Sequence, residues 1–129
     1  MKQAVLAALF MAAGFGQAHA QDAAAGEKVF VVCKACHQVG DRAKNAVGPV
    51  LNGLLGRKAG SVEGYVYSDA NKNSGIIWDE ATFSTYIKDP KAKIPGTKMV
   101  FPGIKDEQRI KDLIAYLHTF DKATVKLAQ

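Results

Sequence analysis

The chain has 129 residues, 48% of them apolar, and a net charge of +5. That length holds one domain with a single core, which excludes a multidomain enzyme. The positive excess is modest and forms no dense Arg/Lys block interleaved with aromatics, so it argues against nucleic acid and suits docking on an acidic protein surface.

The N-terminus, MKQAVLAALFMAAGFGQAHA, sets Lys2 ahead of an uncharged apolar run and ends on the small residues Ala18-His19-Ala20. This three-part pattern reads as an export signal over residues 1–20, cut before Gln21. A membrane anchor is the competing reading, but Ala4 to Phe15 falls short of the roughly 20 apolar residues that span a bilayer. The expected division is a signal peptide at 1–20 and one domain at 21–129, whose charge drops to +4 once Lys2 is removed. Export would place Cys33 and Cys36 in an oxidising compartment, where two free cysteines pair unless something else engages them.

Residues 24–38 read as the first helix. Ala24 and Ala25 favour helix, and Val29, Phe30, Val32, Cys33 and Cys36 recur at a spacing of three to four, placing the cysteines in its last turns. From Gly40 to Gly75 periodicity is lost among Gly, Asn, Ser and Asp, and the stretch is expected to be mainly loop; a loop that long in a small domain usually has a function. A second helix is predicted at Glu80 to Lys88, with Asp79 as N-cap, Phe83, Tyr86 and Ile87 on one face and Asp89-Pro90 as the stop. After the loop KAKIPGTKMVFPG, the last helix carries Ile110, Leu113, Ile114 and Leu117 at i, i+3, i+4 and i+7, with Asp106 as its cap. No strand pattern of any length competes, and neither repeats nor low-complexity tracts occur beyond the leader.

The densest chemistry lies in Cys33-Lys34-Ala35-Cys36-His37. On one helical stretch, two thiols three positions apart can reach the two vinyl groups on one edge of a haem, while the adjacent imidazole lies under the ring and can bind its iron. Three other uses compete. A redox dithiol calls for a strand feeding the Cys-x-x-Cys helix, and none is legible upstream. A structural zinc needs four ligands, whereas the domain offers two Cys, His37 and the distant His118. A disulfide closing so short a loop adds little stability.

Haem iron also needs a sixth ligand or an open position. With Met1 and Met11 in the leader, Met99 is the only methionine of the domain, and it stands in a Pro/Gly-punctuated loop rather than on a helical core face. Its thioether can bind haem iron and, paired with His, raises the reduction potential. A lone Met is otherwise a gap-filling core residue. His118, the rival ligand, borders the apolar face of a regular helix and is expected at the surface.

Beyond CKACH, the segments GPVLNGLLGRKAG, YVYSDANKNSGIIWDEATFSTYIKDP, IPGTKMVFPGIK and RIKDLIAYL follow in an order that resembles the class I cytochromes c of the soluble c2 and mitochondrial type. The resemblance runs from about Gly26 to Phe120. It implies a small all-α single-haem cytochrome c fold, about three to five helices with long loops wrapped around one haem c held through Cys33 and Cys36. It further implies His37 and Met99 as the iron ligands, and the Pro49 carbonyl as acceptor of the His37 ring N–H. Arg57, Tyr67 and Trp78 would donate to the haem propionates. Asn71, Tyr86 and Thr97 would hydrogen-bond on the methionine side, and Phe101 would flank the exposed haem edge. Gly26, Phe30, Leu113 and Tyr116 match the crossing of first and last helices. Without the resemblance, Arg57 reads equally as a solvated cation, and Tyr67 and Trp78 as core aromatics.

The implied function is one-electron transfer, not catalysis, because a His/Met pair leaves iron no open position; an open-site peroxidase or gas sensor would need Met99 absent or labile. The cleaved leader, which mitochondrial members lack, points to a periplasmic c2-type carrier. Its partners would be a membrane quinol–cytochrome c oxidoreductase as donor and a terminal oxidase or photosynthetic reaction centre as acceptor. Lys34, Lys91, Lys93, Lys98 and Lys105 neighbour the ligand-bearing segments and would steer acidic partners to a monomeric carrier. Asn45-Ala46-Val47 and Ala92 stand where the mitochondrial type is more basic, so this surface is expected to be less cationic.

Overall fold

The computed structural model describes residues 21–128; the leader, with Lys2 and the Ala18-His19-Ala20 site, lies outside the described residues. Five helices are formed among them: α1 (Ala23–Phe30), α2 (Asp69–Lys72), α3 (Glu80–Lys88), α4 (Pro90–Lys93) and α5 (Glu107–His118). Strand pairing among the described residues is confined to two isolated bridges, Lys58 with Ile77 and Val62 with Leu127. The all-α architecture expected from the sequence is the one observed.

Each of the longer helices starts where an aspartate accepts its free N–H groups. Asp22 accepts from Ala24 and Ala25 at 2.9 and 3.2 Å. Asp79 accepts from Thr82 at 2.6 Å, and Asp106 from Arg109 at 2.8 Å. The predicted α3 and α5 therefore begin at their capping residues and hold their apolar faces inward, with Phe83, Tyr86 and Ile87 on one and Ile110, Leu113, Ile114 and Leu117 on the other.

The first helix is shorter than its periodicity suggests. It ends at Phe30 and tightens into a 3₁₀ turn at Val31–Cys33, followed by an irregular turn to Cys36. The Lys34 amide bonds back to Val31 at 3.3 Å, and the Cys36 and His37 amides both reach the Cys33 carbonyl, at 3.1 and 2.9 Å. The cysteines thus leave the helix proper but stay on a right-handed winding, held by two three-residue bonds and, at His37, one four-residue bond. Asp89-Pro90 does stop α3, yet Pro90 also begins α4 with Asp89 as its cap, since a proline at the first helical position forfeits no hydrogen bond. Within the expected loop 40–75, Ser68 caps the single turn of α2.

The core is organised by α1 crossing α5. Gly26 makes that approach possible: a Cβ there would stand 1.9 Å from the Asp112 carbonyl oxygen. Phe30 stacks on Tyr116 with ring centroids 5.3 Å apart, and the Asp112 carboxylate accepts from the Asp22 amide at 3.0 Å. Phe30, Ile110, Leu113, Ile114 and Leu117 are essentially fully buried, each contributing about 1.5–3 kcal/mol by removal from water. Beyond α5, the C-terminal segment runs back over the 52–63 loop: the Glu63 amide bonds to Lys126, and the Ala128 amide to Ser61, both at 2.8 Å.

Candidate functional site

Between α1, α3, α5 and the long loops lies a cavity of about 350 Å³, within the range of roughly 300–1,000 Å³ that accepts a small molecule or cofactor. Phe30, Leu54, Trp78, Phe83, Leu113 and Leu117 give it apolar walls. All eleven side chains expected to hold or surround a haem line it: Cys33, Cys36, His37, Pro49, Arg57, Tyr67, Asn71, Trp78, Tyr86, Thr97 and Met99. Phe101 lines it as well, and Val32, Val47 and Val100, which are 49, 73 and 87% exposed, form part of its margin.

His37 is set by its loop partners. Its Nδ1 lies 2.8 Å from the Pro49 carbonyl oxygen; a carbonyl only accepts, so Nδ1 carries the proton and Nε2 keeps its lone pair for a metal. Burial holds His37 below the ordinary histidine value, against the opposing pull of the Pro49 bond, and the charge of Arg57 lowers it further. The imidazole is therefore neutral, the form that ligates. Gly48 permits the loop to pass, since a Cβ there would stand 2.3 Å from His37 Cε1.

Cys33 and Cys36 are free thiols. Burial and the neighbouring Cys36 push the Cys33 thiol up to about 11. A dithiol oxidoreductase works the other way, with a thiolate stabilised by its surroundings.

The Met99 loop is fixed by hydrogen bonds from both sides. The Tyr86 hydroxyl donates to the Met99 sulfur at 2.9 Å, and the Met99 amide donates to Thr97 Oγ1 at 3.2 Å. Burial raises the Tyr86 phenol above its ordinary value, which keeps that proton in place. Asn71, which lines the same cavity, has its Oδ1 buried without a protein partner, which marks room for a polar neighbour there.

Arg57, read from sequence as either solvated or ligand-binding, is only 7% exposed. Its guanidinium donates to the Asn52 and Val50 carbonyls at 2.7 and 2.9 Å. Among the described residues no carboxylate pairs with it. A buried cation held only by dipoles suits an anionic group of the cavity's occupant. The Tyr67 hydroxyl accepts from the Val62 amide at 3.0 Å, which leaves its own proton to donate. His118 lies away from the cavity on the surface, bonded at 2.7 Å to both Asp121 and Glu80.

Asn52 and Tyr65 are the residues that sequence reasoning missed. Tyr65 lines the cavity and donates to the Val47 carbonyl at 2.7 Å. Asn52 is 1% exposed; a single amide inside VLNGLL is its only signal in the sequence.

Two thiols able to form thioethers, a neutral imidazole offering Nε2 and a soft sulfur, all around one apolar cavity, make a donor set suited to iron in a porphyrin. The class that this fold and site define is that of the c-type cytochromes. Residues 23–121 match the family model described as cytochrome c, and the chain belongs to that family, in its class I, cytochrome c2 branch. It is 60% identical to a cytochrome c2 of Blastochloris viridis over 121 residues, covering 94% of this chain and 95% of that one. It is 65% identical over 100 residues to cytochrome c-550 of Bradyrhizobium diazoefficiens, covering 78% of this chain and 74% of the relative. Among solved structures, cytochrome cH from Methylobacterium extorquens superposes with a TM-score of 0.70 at 56% identity, covering 76% of this chain and 98% of its own. Cytochrome c2 from Rhodospirillum centenum does so at 0.73 and 40%, covering 77% and 98%. The chain carries one covalent haem c, with Cys33 and Cys36 as the cysteines of the attachment motif, and it is an electron carrier rather than an enzyme.

Proposed function

We propose that the chain is an exported periplasmic shuttle whose haem iron is bound by His37 and Met99, taking single electrons from a quinol–cytochrome c oxidoreductase to a terminal oxidase or photosynthetic reaction centre. The observation that carries this is the Tyr86 hydroxyl on the Met99 sulfur at 2.9 Å, in the same cavity as a His37 whose Nδ1 is tied to Pro49. The imidazole, through Nδ1, and the Met99 sulfur are each held by a protein hydrogen bond, which favours a closed iron over an open catalytic one.

The bound haem supplies the one-electron redox change. The chain's residues supply its setting. Pro49 fixes the His37 ring and makes it the more basic for donating its N–H. Tyr86 draws electron density from the Met99 sulfur, which favours the reduced state, as do the apolar walls and the nearby charge of Arg57. Arg57, Tyr67 and Trp78 would donate to the propionates, and Asn71, Tyr86 and Thr97 would hydrogen-bond on the methionine side.

Docking uses the cavity's margin. Exposed Val32, Val47 and Val100 offer a small apolar contact, and Lys34, Lys91, Lys93, Lys98 and Lys105 offer positive charge around it. Lys98 is partly committed within the protein, donating to the Val66 carbonyl and standing 4.5 Å over the Tyr65 ring. Lys105 likewise donates to the Lys88 carbonyl. Lys34, Lys91 and Lys93 are exposed. Such a surface speeds encounter more than it tightens binding. Export rests on the three-part pattern of residues 1–20, Lys2 ahead of an uncharged apolar run that ends on Ala18-His19-Ala20. No helix of the described residues is long and apolar enough to cross a membrane.

Reduction of the holoprotein by quinol–cytochrome c oxidoreductase tests the assignment. The second-order rate should fall steeply as ionic strength rises from about 10 to 150 mM, where the screening length shortens from roughly 30 to 8 Å. A rate indifferent to salt, or no reduction, would contradict it.

A further inference from the structure

Asn52 is a buried polar side chain, 1% exposed, with every polar atom engaged. Its Oδ1 accepts from the Gly40 amide at 2.8 Å, and its Nδ2 donates to the Gly40 carbonyl at 2.8 Å and to the Thr124 carbonyl at 3.0 Å. Both amide protons are thereby used. Its own main-chain carbonyl accepts from Arg57 Nη1 at 2.7 Å. The next residue adds a link to the same C-terminal segment, the Gly53 amide bonding to the Phe120 carbonyl at 3.0 Å.

One residue therefore joins three pieces of chain. Gly40 follows the CKACH segment, Val50 to Arg57 forms the loop after Pro49, and Thr124 belongs to the C-terminal segment. Arg57 has the Asn52 and Val50 carbonyls as its hydrogen-bond partners and lines the cavity. The position of its charge is consequently dictated by a loop that Asn52 anchors from both sides.

We infer that Asn52 is a positioning residue that sets the reduction potential through Arg57, by fixing where that cation stands relative to the haem and its carboxylates. This rests on the haem reading of the cavity. A fixed positive charge near the iron favours the reduced form, which carries one positive charge fewer than the oxidised form. Loosening the loop lets Arg57 swing toward water, where its field is screened. The amide does this without charge of its own, and an apolar residue of similar size would leave the half-buried Gly40 amide without its acceptor and the Thr124 carbonyl without this donor, while the Gly40 carbonyl would keep only the Ala43 amide.

A double-mutant cycle on the holoprotein separates this role from a merely structural one. Redox titrations are made on wild type, Asn52→Ala, Arg57→Gln and the double variant. Asn52→Ala should keep covalent haem and the far-red sulfur-to-iron band, yet lower the reduced-to-oxidised ratio at a fixed mediator poise by about twofold or more. In the Arg57→Gln background the same change should have no further effect. An unaltered ratio, or the same shift in both backgrounds, would overturn the proposal. If Asn52→Ala yields no holoprotein, Asn52→Ser, whose hydroxyl can bond one of the stranded groups, takes its place in the cycle with the same two outcomes. A wild type without thioether-bound haem or without the far-red band would instead overturn the reading of the cavity itself.

Discussion

Tyr86 and Met99 show how much of the site depends on single atoms. The Tyr86 phenol is buried and its proton is committed to a sulfur, so Tyr86→Phe removes one hydrogen bond and little volume. Reduction potentials should fall for Tyr86→Phe and fall further for Met99→Ala, with haem still covalently attached in both. Added cyanide or imidazole should bind Met99→Ala readily and wild type poorly. Spectroscopic ligand titration with parallel redox titration checks both, and a Met99→Ala potential equal to wild type would refute the ligand assignment. Legibility at this scale divides by chemistry. CKACH and Met99 could be found by counting donors, because thiol, imidazole and thioether have few other joint uses. Arg57, Tyr67 and Trp78 took meaning only from the family resemblance, since their types are as common in cores and on surfaces. Asn52 left only a lone amide among apolar neighbours, because its partners are backbone atoms of segments far apart in sequence.

Among the elements, α3 and α5 were readable because a capping aspartate and a sustained apolar period agree at each. The end of α1 was not, since the apolar spacing runs on through Cys36 although the winding tightens after Phe30. A single turn such as α2 or α4 is too short to carry a period at all. The start of α3 and the end of α5 are tied by His118, whose two ring nitrogens lie 2.7 Å from Asp121 and from Glu80. Those bonds, Asp121 first, raise His118 above the ordinary 6.5, and both carboxylates gain from its charged form. The sign follows: a raised folded value gives stability that is full below pH 6.5 and is lost as pH rises through the folded value. The gain is modest, because the side chain is 39% exposed and screened by water. Urea unfolding of wild type and His118→Gln at a series of pH values should show the wild type's advantage at acid pH shrinking toward pH 9. A difference independent of pH would contradict the tie.

For the whole molecule, the cofactor completes the core. A cavity of about 350 Å³ lined by Phe30, Leu54, Leu113 and Leu117 leaves these side chains without packing partners until the haem fills it. The chain with Cys33 and Cys36 both changed to Ala and haem extracted should therefore lose most of its helical circular dichroism at 25 °C, and a native-like spectrum would count against a haem-completed core. The loops that looked formless in sequence owe their path to this arrangement: they bond to one another, as the Gly48 amide does to Cys36 and the Leu51 amide to Gln38, and close around the cavity instead of forming elements of their own.

The central claim is that the iron is closed between His37 and Met99, and the visible spectrum of the oxidised holoprotein tests it most directly. A weak far-red charge-transfer band near neutral pH, lost in Met99→Ala and kept in His118→Gln, is the result this structure leads us to expect. Absence of that band in wild type, together with ready binding of carbon monoxide by the reduced protein, would contradict it.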